Sequence, residues 1–391
     1  MKKILIINSS FGTGGIQSSL VNMANELQKE YQVDLFIYYP EGPMRERIDP
    51  NVHIISGSWR FNALGMSLKS VIKSKDIRMI GFRLFSAIWA KLVNNKFPIS
   101  CAIHSQKKLT GYDMAIAYRQ EYKKHSSGSG FARVAAECVD AKVKIAWLHY
   151  DNNTLDLDSA YNNQFYEKMD RVVCVSQALA KSFVEKFPEF KEKIDFCYNF
   201  IDYDQLRIKS LDKSLMQVPE GKIICFSACR LTEEKALVRA VRCLAPVFKD
   251  HPELVWYIAG DGSEREKIEQ AISEEKIETQ VILLGQQNNP YSFMKNADLV
   301  MNLSYHEAAP MVFLEAKALG VPVFATRTSS TEEFLEHGVN AIICENDAGD
   351  IQLQFANLVE SDGFLEKLKD NLCNYIGSND LSLRKISGWM E

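Results

Sequence analysis

The segment Lys3-Ile4-Leu5-Ile6-Ile7-Asn8, followed by the loop Ser9-Ser-Phe-Gly-Thr-Gly-Gly15, decides the fold class. A short, unbroken apolar run is typical of a strand that is covered on both faces, as in a parallel sheet. The glycine-rich loop leads into an amphipathic segment over 17–29, and the next apolar run covers 33–39. This order of strand, glycine loop, helix and strand predicts a βαβ unit with a right-handed crossover.

Short apolar runs continue along the chain in two series, which are separated by a charged stretch at 202–221. Helical or polar sequence lies between successive runs, as in doubly wound α/β domains. A chain of 391 residues, 46% of them hydrophobic, is also long enough for two cores. We therefore predict two Rossmann-like domains, 1–200 and 201–375, and a tail, 376–391, that packs back on the first. The predicted later strands are 114–118, 144–148, 171–175, 222–228, 254–259, 280–284, 299–303, 322–325 and 341–344.

The composition of the chain argues against several kinds of partner and binding site. A net charge of -4 argues against duplex nucleic acid as the main partner, because such binding needs a broad basic surface. The nine cysteines are scattered, without a C-x-x-C pair or zinc-ligand spacing to histidine, which indicates reduced thiols and no metal site. The first apolar run is too short for a signal peptide. We expect a cytoplasmic protein.

Two loop segments have the composition of anion sites. The loop at 9–15 lies where a Rossmann-like strand meets its helix, but it is neither G-x-G-x-x-G nor a P-loop, so a plain tight turn remains the alternative. Arg230 follows the strand at 222–228, and Lys235 precedes an apolar-periodic helix. Two cations beside a helix N-terminus suit a diphosphate; the alternative is a pair of solvated residues partnered by Glu233 and Glu234.

Two carboxylates, Glu307 and Glu315, are eight positions apart. Pro310 suits the first turn of a helix that ends near Gly320, which places Glu307 in the preceding loop and Glu315 in the second turn. Because ionised carboxylates only accept hydrogen bonds, the pair suits the hydroxyls of a sugar. A general acid/base pair for glycoside hydrolysis, or an ordinary salt bridge and a helix-dipole partner, are the other interpretations.

The order of these motifs resembles that of the family 4 retaining glycosyltransferases of the GT-B fold. The most specific part is Glu307-x₇-Glu315, with Ala297-Asp298 before it and Gly320-Val-Pro-Val323 after it. The resemblance extends from about residue 4 to about residue 345. The other matching stretches are Gly14-Gly15-Ile16-Gln17-Ser18, Trp147-Leu-His149, Val175-Ser176, Asn199-Phe-Ile-Asp202, Arg230-Leu-Thr-Glu-Glu-Lys235 and Ile258-Ala-Gly-Asp-Gly262.

The resemblance implies a nucleotide-diphosphate sugar as donor, expected to be a UDP-sugar, with no further cofactor and no metal. It implies two domains that face each other across a cleft, and a glycan or lipid-linked glycan as acceptor in cell-surface polysaccharide synthesis. Transfer would retain the anomeric configuration through front-face attack, without a protein nucleophile.

The resemblance also implies roles for single residues. Arg230 and Lys235 would bind the diphosphate and stabilise its developing charge. Glu307 and His149 would contact the donor sugar, so these four residues are the predicted catalytic set. The remaining donor-binding residues would be Glu315 at the ribose, Gly14 and Gly15 near the phosphates, and Pro310, Met311 and Val312 beside the pocket.

Three positions depart from the family pattern. Ala308-Ala309 follow Glu307 where glycine is usual, Ala236 follows Lys235 where glycine is common, and Ala341 replaces a frequent glycine. A Cβ at a position of positive φ costs about 1 kcal/mol or more. We therefore expect either a different local backbone or a reshaped sugar pocket. A catalytically silent binding or stabilising partner of another transferase remains the alternative function.

A basic segment between Arg60 and Phe97 carries eight positive residues and one acidic residue, a net charge of +7. Apolar residues are interleaved with these charges, as in helices that lie on anionic membranes. We therefore expect peripheral contact between residues 60–97 and the inner membrane leaflet. The alternative is a pair of ordinary amphipathic helices with basic outer faces.

Two other enzyme classes fit less well. A sugar-nucleotide epimerase of the same fold should place its acid/base carboxylates in N-terminal loops, whereas the pair here is C-terminal. A nicotinamide dehydrogenase should show the dinucleotide fingerprint and an acidic residue after the second strand.

Overall fold

The computed structural model describes residues 1–121, 124–150, 159–212 and 220–391. The chain forms two compact units. The first contains Met1–Phe200 together with Asn379–Glu391, and the second contains Ile201–Ser378. Each has its own parallel sheet flanked by helices, so the predicted fold class of two doubly wound α/β domains is confirmed.

The first unit is built on a seven-stranded parallel sheet with strand order β3-β2-β1-β4-β5-β6-β7. Its first strand lies at the centre, and Ile4 to Ile7 are completely buried there, as an unbroken apolar run predicts. The strands are β1 Lys3–Asn8, β2 Gln32–Ile37, β3 His53–Ser56, β4 Leu109–Ala117, β5 Val139–Leu148, β6 Arg171–Cys174 and β7 Ile194–Phe196.

The described residues of this unit form eight α-helices before the second sheet begins. They are α1 Gly15–Leu27, α2 Trp59–Gly65, α3 Leu68–Lys73, α4 Ile77–Leu92, α5 Lys96–His104, α6 Phe131–Cys138, α7 Ser159–Tyr166 and α8 Gln177–Lys186. The two edge strands β3 and β7 were not predicted. They are only four and three residues long and partly exposed, so neither forms a continuous apolar run.

The second unit is built on a six-stranded parallel sheet with strand order β10-β9-β8-β11-β12-β13. All six predicted strands are present within two residues of their predicted ends. The strands are β8 Ile223–Ala228, β9 Leu254–Ala259, β10 Val281–Gly285, β11 Leu299–Asn302, β12 Val323–Thr326 and β13 Ala341–Cys344. The helices are α9 Tyr203–Ser210, α10 Leu237–Asp250, α11 Arg265–Glu275, α12 Tyr291–Lys295, α13 Met311–Ala318, α14 Thr331–Phe334, α15 Ala348–Glu360 and α16 Phe364–Leu372.

Helix α9 lies within the charged stretch 202–221 that separates the two series of predicted strands. The Asp202 side chain accepts a hydrogen bond from the Gln205 backbone N–H at 3.0 Å and so caps the helix. Only Leu206 and Ser210 are buried, so the helix lacks the apolar periodicity that would have indicated it. The later part of that stretch, 213–219, lies outside the described residues.

The last helix, α17 Asp380–Trp389, belongs to the first unit. Asp195 at the start of β7 anchors it, because its two carboxylate oxygens accept hydrogen bonds from Lys385 Nζ at 2.6 Å and Trp389 Nε1 at 2.9 Å. The Trp389 ring also packs edge-on against Trp147 of β5, with 6.1 Å between centroids. In the described part of the chain, no helix has both the length and the hydropathy required to cross a bilayer.

The central strands of the second sheet position a group of polar residues. In parallel sheets, the carboxyl ends of neighbouring strands meet at one edge, where α/β proteins bind their ligands. The neighbouring strands β8, β11 and β12 end at this edge. Arg230 follows β8, and Ser304 and Glu307 follow β11.

Candidate active site

Lys235 and Glu307 form an ion pair at the carboxyl edge of the second sheet. The Lys235 Nζ atom lies 2.7 Å from Glu307 Oε1, and both side chains are mostly buried. Lys235 ends a short 3₁₀ turn, Glu233–Lys235, that precedes α10, while Glu307 lies in the loop between β11 and α13. The structure therefore brings together two of the predicted catalytic residues, which are 72 positions apart in the sequence.

Two further side chains hold the same carboxylate. Asn302 Nδ2 donates to Glu307 Oε1 at 3.1 Å, and Ser304 Oγ donates to it at 2.8 Å. Ser304 Oγ also lies 2.8 Å from Asn302 Oδ1, so its single proton is shared between the carboxylate and the amide oxygen. Asn302 and Ser304 were not predicted site residues, although the position of Asn302 at the end of a buried strand is a usual one for a polar site residue.

The pKa values reflect this burial and pairing. Burial alone would lower the pKa of Lys235, but the Glu307 carboxylate outweighs it, so the pKa of Lys235 lies above its ordinary value. Burial raises the pKa of the neighbouring Cys229 thiol to about 11. Lys235 is therefore a firmly protonated cation, and Cys229 is a neutral thiol at physiological pH.

A small pocket opens beside this ion pair. It is lined by polar and apolar residues from the ends of β8 and β11 and from the starts of α10 and α13. The lining includes Val312, one of the predicted donor-binding residues. The other lining residues are Ser227, Ala228, Cys229, Lys235, Leu237, Met301, Asn302, Leu303 and Ser304.

Arg230 lies close to this group without contacting Glu307. Its guanidinium donates to Glu234 Oε1 at 3.1 Å, and both side chains are substantially exposed. The positive charge of Arg230 is nevertheless near enough to act against protonation of Lys235. The predicted alternative, a solvated arginine paired with Glu234, is thus the geometry observed for Arg230, whereas Lys235 is paired with Glu307.

Helix α13 carries the remaining predicted residues of the second unit. Pro310 occupies its N-cap position, one residue before the first turn in which the sequence placed it, and Met311 is the first helical residue. Glu315 lies in the second turn, as the sequence predicted. The Tyr291 hydroxyl, from the start of α12, donates a hydrogen bond to Glu315 Oε1 at 3.1 Å. Tyr291 is a third residue that the sequence did not indicate as part of the site.

The loop that carries Glu307 is fixed through its backbone carbonyls. Arg239 of α10 donates to Leu303 O at 2.8 Å and stacks over the Tyr305 ring at 4.1 Å. Thr326 Oγ1 donates to Ser304 O at 2.7 Å, and Asn346 Nδ2 donates to Tyr305 O at 3.0 Å. Three separate elements thus hold the backbone immediately before Glu307.

The three alanine departures have different structural outcomes. Ala236 keeps a left-handed backbone, with φ 53° and ψ 26°. Among the described non-glycine residues, only Lys75, Ala236 and Lys276 have positive φ, so Ala308 and Ala309 are free of this strain. Ala341 lies buried in β13 without positive φ. The local backbone has therefore adapted to alanine in the Glu307 loop but not after Lys235.

In the first unit, the glycine loop ends at the N-terminus of α1. Gly14 is the N-cap residue with φ 129° and ψ 170°, a conformation that essentially only glycine adopts, and Gly15 is the first helical residue. The predicted ligand loop therefore has a backbone requirement for glycine at Gly14. This requirement is equally compatible with a tight turn, the alternative given by the sequence.

His149 follows β5 and is buried as a neutral imidazole. Its Nε2 lies 3.2 Å from the Tyr118 carbonyl oxygen and donates to it, which leaves Nδ1 as the acceptor nitrogen. Burial is the main cause that lowers the pKa of His149 to about 3. The Gln120 side-chain oxygen, which the sequence did not indicate, accepts hydrogen bonds from the His149 and Tyr150 backbone N–H groups at 3.2 and 3.0 Å.

Two family models match the chain in succession. The model described as Glycosyltransferase Family 4 matches residues 13–205, and the model described as Glycosyl transferases group 1 matches residues 211–375. Together they account for both units, apart from the first residues, a short connecting stretch and the C-terminal residues.

Curated relatives match this chain at moderate identity. N-acetyl-alpha-D-glucosaminyl L-malate synthase of Bacillus anthracis is 30% identical over 55% of this chain and 58% of its own length. Poly(glycerol-phosphate) alpha-glucosyltransferase of Bacillus subtilis is 29% identical over 45% of this chain and 25% of its own. The matches therefore span less than two thirds of either relative.

Solved structures match over nearly the whole chain. Anabaena Alr3699/HepE in complex with UDP and glucose superposes with a TM-score of 0.68 at 15% identity, covering 99% of both chains. A variant of S. aureus TarM in complex with fondaparinux, alpha-GlcNAc-glycerol and UDP superposes with a TM-score of 0.65 at 15% identity, covering 100% of both chains. At this identity, the likeness shows a shared fold.

Proposed function

We propose that this chain, which belongs to the family 4 glycosyltransferases of the GT-B fold, transfers a sugar from a nucleotide-diphosphate sugar to a glycan or lipid-linked glycan. The donor is expected to carry UDP, the nucleotide bound in the similar HepE and TarM structures. The observation that carries the proposal is the buried Lys235–Glu307 pair beside a pocket at the carboxyl edge of the second sheet.

Lys235 has N–H donors available to bind a phosphate. An ammonium group has three N–H donors, and one of them is used on Glu307. The other two can reach donor phosphate oxygens, together with the guanidinium of Arg230. Fixed cations of this kind stabilise the charge that develops on the diphosphate as the glycosidic bond breaks.

Glu307 is suited to orient the donor sugar. Its Oε1 atom accepts from Lys235, Asn302 and Ser304, and none of the described residues donates to Oε2. A carboxylate oxygen in this state is an acceptor for a sugar hydroxyl. In the same proposal, Glu315 binds the ribose hydroxyls, and His149 Nδ1 accepts a hydrogen bond from a hydroxyl of the donor sugar.

We further propose that transfer retains the anomeric configuration. The acceptor hydroxyl attacks on the face that the nucleotide leaves, and the departing phosphate takes its proton, so no protein nucleophile is required. We propose that the reaction is independent of a metal ion, because Arg230 and Lys235 supply the positive charge. NMR of the product tests whether the anomeric configuration is retained. Measurement of transfer in the presence of EDTA tests metal independence, which predicts an undiminished rate.

The setting proposed for this reaction is cell-surface polysaccharide synthesis, since the relatives include a poly(glycerol-phosphate) alpha-glucosyltransferase and a lipopolysaccharide core biosynthesis glycosyltransferase. The acceptor would be presented on the cytoplasmic side of the membrane, where we place the protein as a peripheral enzyme. A Campylobacter jejuni relative, 26% identical over 61% of this chain and 63% of its own length, acts on a diphospho-undecaprenol-linked glycan, which supports a lipid-linked acceptor.

Substitution of the proposed phosphate ligands tests the function. In Lys235→Met and Arg230→Gln, transfer from a UDP-sugar should fall by about 100-fold or more, because each removes a cation from the developing charge. Arg242→Gln is the matched control for Arg230→Gln, since Arg242 is equally exposed and is likewise paired with one glutamate at 3.1 Å. Wild-type rates in both test variants would contradict the proposal.

Donor binding and turnover are measured separately in the same experiment. Calorimetry with UDP and a donor-hydrolysis assay should both respond in the wild-type protein, and Glu315→Gln should weaken UDP binding. Binding of nucleotide without turnover of UDP-, GDP- or ADP-linked donors would instead support the alternative of a catalytically silent partner of another transferase.

A further inference from the structure

Helix α4 presents an apolar stripe to solvent. Ile77, Ile88 and Leu92 are 83%, 58% and 77% exposed, and Leu84 is also exposed. Successive members, Ile77, Leu84, Ile88 and Leu92, are seven, four and four residues apart, which places them along one side of the helix. Single exposed apolar residues are ordinary on a protein surface, but a continuous stripe of four is not.

The opposite side of α4 faces the first unit, and Phe82 on that side packs edge-on against Trp59 of α2, with 5.7 Å between ring centroids. Ser86 and Ala90 are buried there. Arg83 Nε donates to Met66 O at 3.3 Å, and the same guanidinium donates to Ser127 Oγ. The apolar residues of α4 are therefore divided between its buried and its exposed side. Its outer face carries the apolar stripe together with the exposed Arg78 and Lys91, so a basic outer face, the alternative given by the sequence, describes part of it.

Aromatic rings extend the stripe on one side. Trp89 and Phe85 lie next to it on α4, and Phe97 at the start of α5 packs against both, with ring centroids 5.1 and 6.2 Å apart. All three rings are partly exposed. Of these rings, the amphipathic indole of Trp89 is of the kind that is enriched where apolar and polar phases meet.

Positive charges surround the stripe. Lys73, Lys75, Arg78, Lys91 and Lys96 are all exposed. The one acidic residue of the segment, Asp76, is bonded to the Arg78 guanidinium at 3.2 Å and caps the N-terminus of α4. The surface thus combines an apolar centre with a basic border.

We propose that the apolar stripe of α4 docks on an anionic phospholipid surface. The helix would lie parallel to the membrane with Ile77, Leu84, Ile88 and Leu92 among the acyl chains and the lysines at the phosphate groups. Charge favours this occupant over a second copy, because a two-fold contact would bring identical basic borders together. Lysine is also depleted in protein interfaces.

Vesicle flotation tests the proposal with the full chain. Phosphatidylcholine vesicles that contain phosphatidylglycerol should carry the protein upward, whereas phosphatidylcholine alone should carry little. Binding should also weaken as salt is raised. In Ile88→Ser with Leu92→Ser, partitioning should fall by about ten-fold or more, since two exposed apolar side chains no longer enter the acyl region.

Matched controls lie in the second unit. Leu353 and Ile376 are 56% and 79% exposed, so Leu353→Ser with Ile376→Ser removes as much exposed apolar surface elsewhere and should leave flotation unchanged. Equal loss in the control, equal binding to both vesicle types, or no binding would overturn the proposal. Loss of a concentration-dependent dimer in the α4 variant, without any change in flotation, would assign the stripe to a second copy instead.

The docking surface is separate from the transfer chemistry. Transfer to a water-soluble acceptor should be the same in the wild type and in the α4 double variant, whereas a Lys235→Met variant should float normally and lose transfer. Failure of docking and failure of the proposed function are therefore distinguishable in one set of proteins.

Discussion

Ala236 holds a left-handed backbone at the entrance to α10, between the site lysine and the helix. This conformation costs an L-residue about 1–2 kcal/mol, partly offset because alanine restricts the unfolded chain more than glycine does. We predict that Ala236→Gly raises the free energy of unfolding by up to about 1 kcal/mol, measured by denaturant titration.

Ala308 provides the matched control. It also stands where the family usually has glycine, but it lacks positive φ. Ala308→Gly should lower the free energy of unfolding by about 0.5 kcal/mol, through the greater entropy of the unfolded chain. Equal destabilisation by Ala236→Gly and Ala308→Gly would contradict the prediction that the backbone is strained at Ala236.

His149 supplies a pH dependence of stability. Its pKa in the folded protein is about 3, below the ordinary value of 6.5, so the unfolded chain binds a proton that the folded chain rejects. The stability it contributes is complete above pH 6.5 and is lost as the pH falls from 6.5 towards 3, by about 1.4 kcal/mol per pH unit. His149→Asn should remove this dependence, which urea titrations at pH 7 and pH 5 measure.

The exposed His104 serves as the control for this measurement. His104→Asn should keep the wild-type loss of stability between pH 7 and pH 5. An unchanged pH dependence in His149→Asn would show that the His149 imidazole is not held neutral in the folded protein.

Sequence reasoning reached some site residues and missed others for a physical reason. Lys235 and Glu307 were predicted because their types and spacing follow a family motif, and they form a pair in the structure. Tyr291 and Arg239 contact the site through tertiary packing, so neither leaves a local signal in the sequence. Asn302 was missed although the end of a buried strand is a usual position for a polar site residue.

At the scale of elements, the segment between β11 and α13 is held by its neighbours. Arg239 on α10 donates to the Leu303 carbonyl and stacks on Tyr305. Charge-assisted hydrogen bonds and cation–π contacts of this kind are geometrically demanding. Arg239 therefore acts as a positioning residue for Glu307, on our interpretation.

We predict that Arg239→Met lowers the kcat of sugar transfer by about ten-fold while the KM for the acceptor stays unchanged, because a displaced Glu307 misorients the donor. Arg239→Lys should recover part of the rate. Arg242→Met, on the exposed side of the same helix, is the control. A purely structural role would lower the thermal midpoint of Arg239→Met without lowering kcat.

Strands and helices differed in how well the sequence predicted them. The central strands β1, β8 and β9 are continuous apolar runs and were predicted close to their observed ends. The edge strand β7 was missed because it is short and half-buried. The sequence also could not predict which side of α4 is buried, because both sides carry apolar residues. The packing of Arg83 and Ser86 against the first unit determines the orientation of the helix.

At the scale of the whole molecule, alternation of apolar runs with helical sequence was sufficient for the fold class. The two sheets have the strand orders expected of doubly wound domains, with β1 and β8 in central positions. The same alternation says nothing about which sugar fits the pocket. That depends on shape around residues such as Val312 and Ser304, which only the folded chain defines.

The chain leaves the first unit after Phe200 and returns to it at Asn379. Lys385 and Trp389, which donate hydrogen bonds to Asp195, are therefore translated long after the rest of that unit. During synthesis, domains generally fold in order from the N-terminus. Here Trp147 of the N-terminal sheet lacks its contact with Trp389 until the second unit has been translated. The first unit to begin folding is therefore the last to be completed.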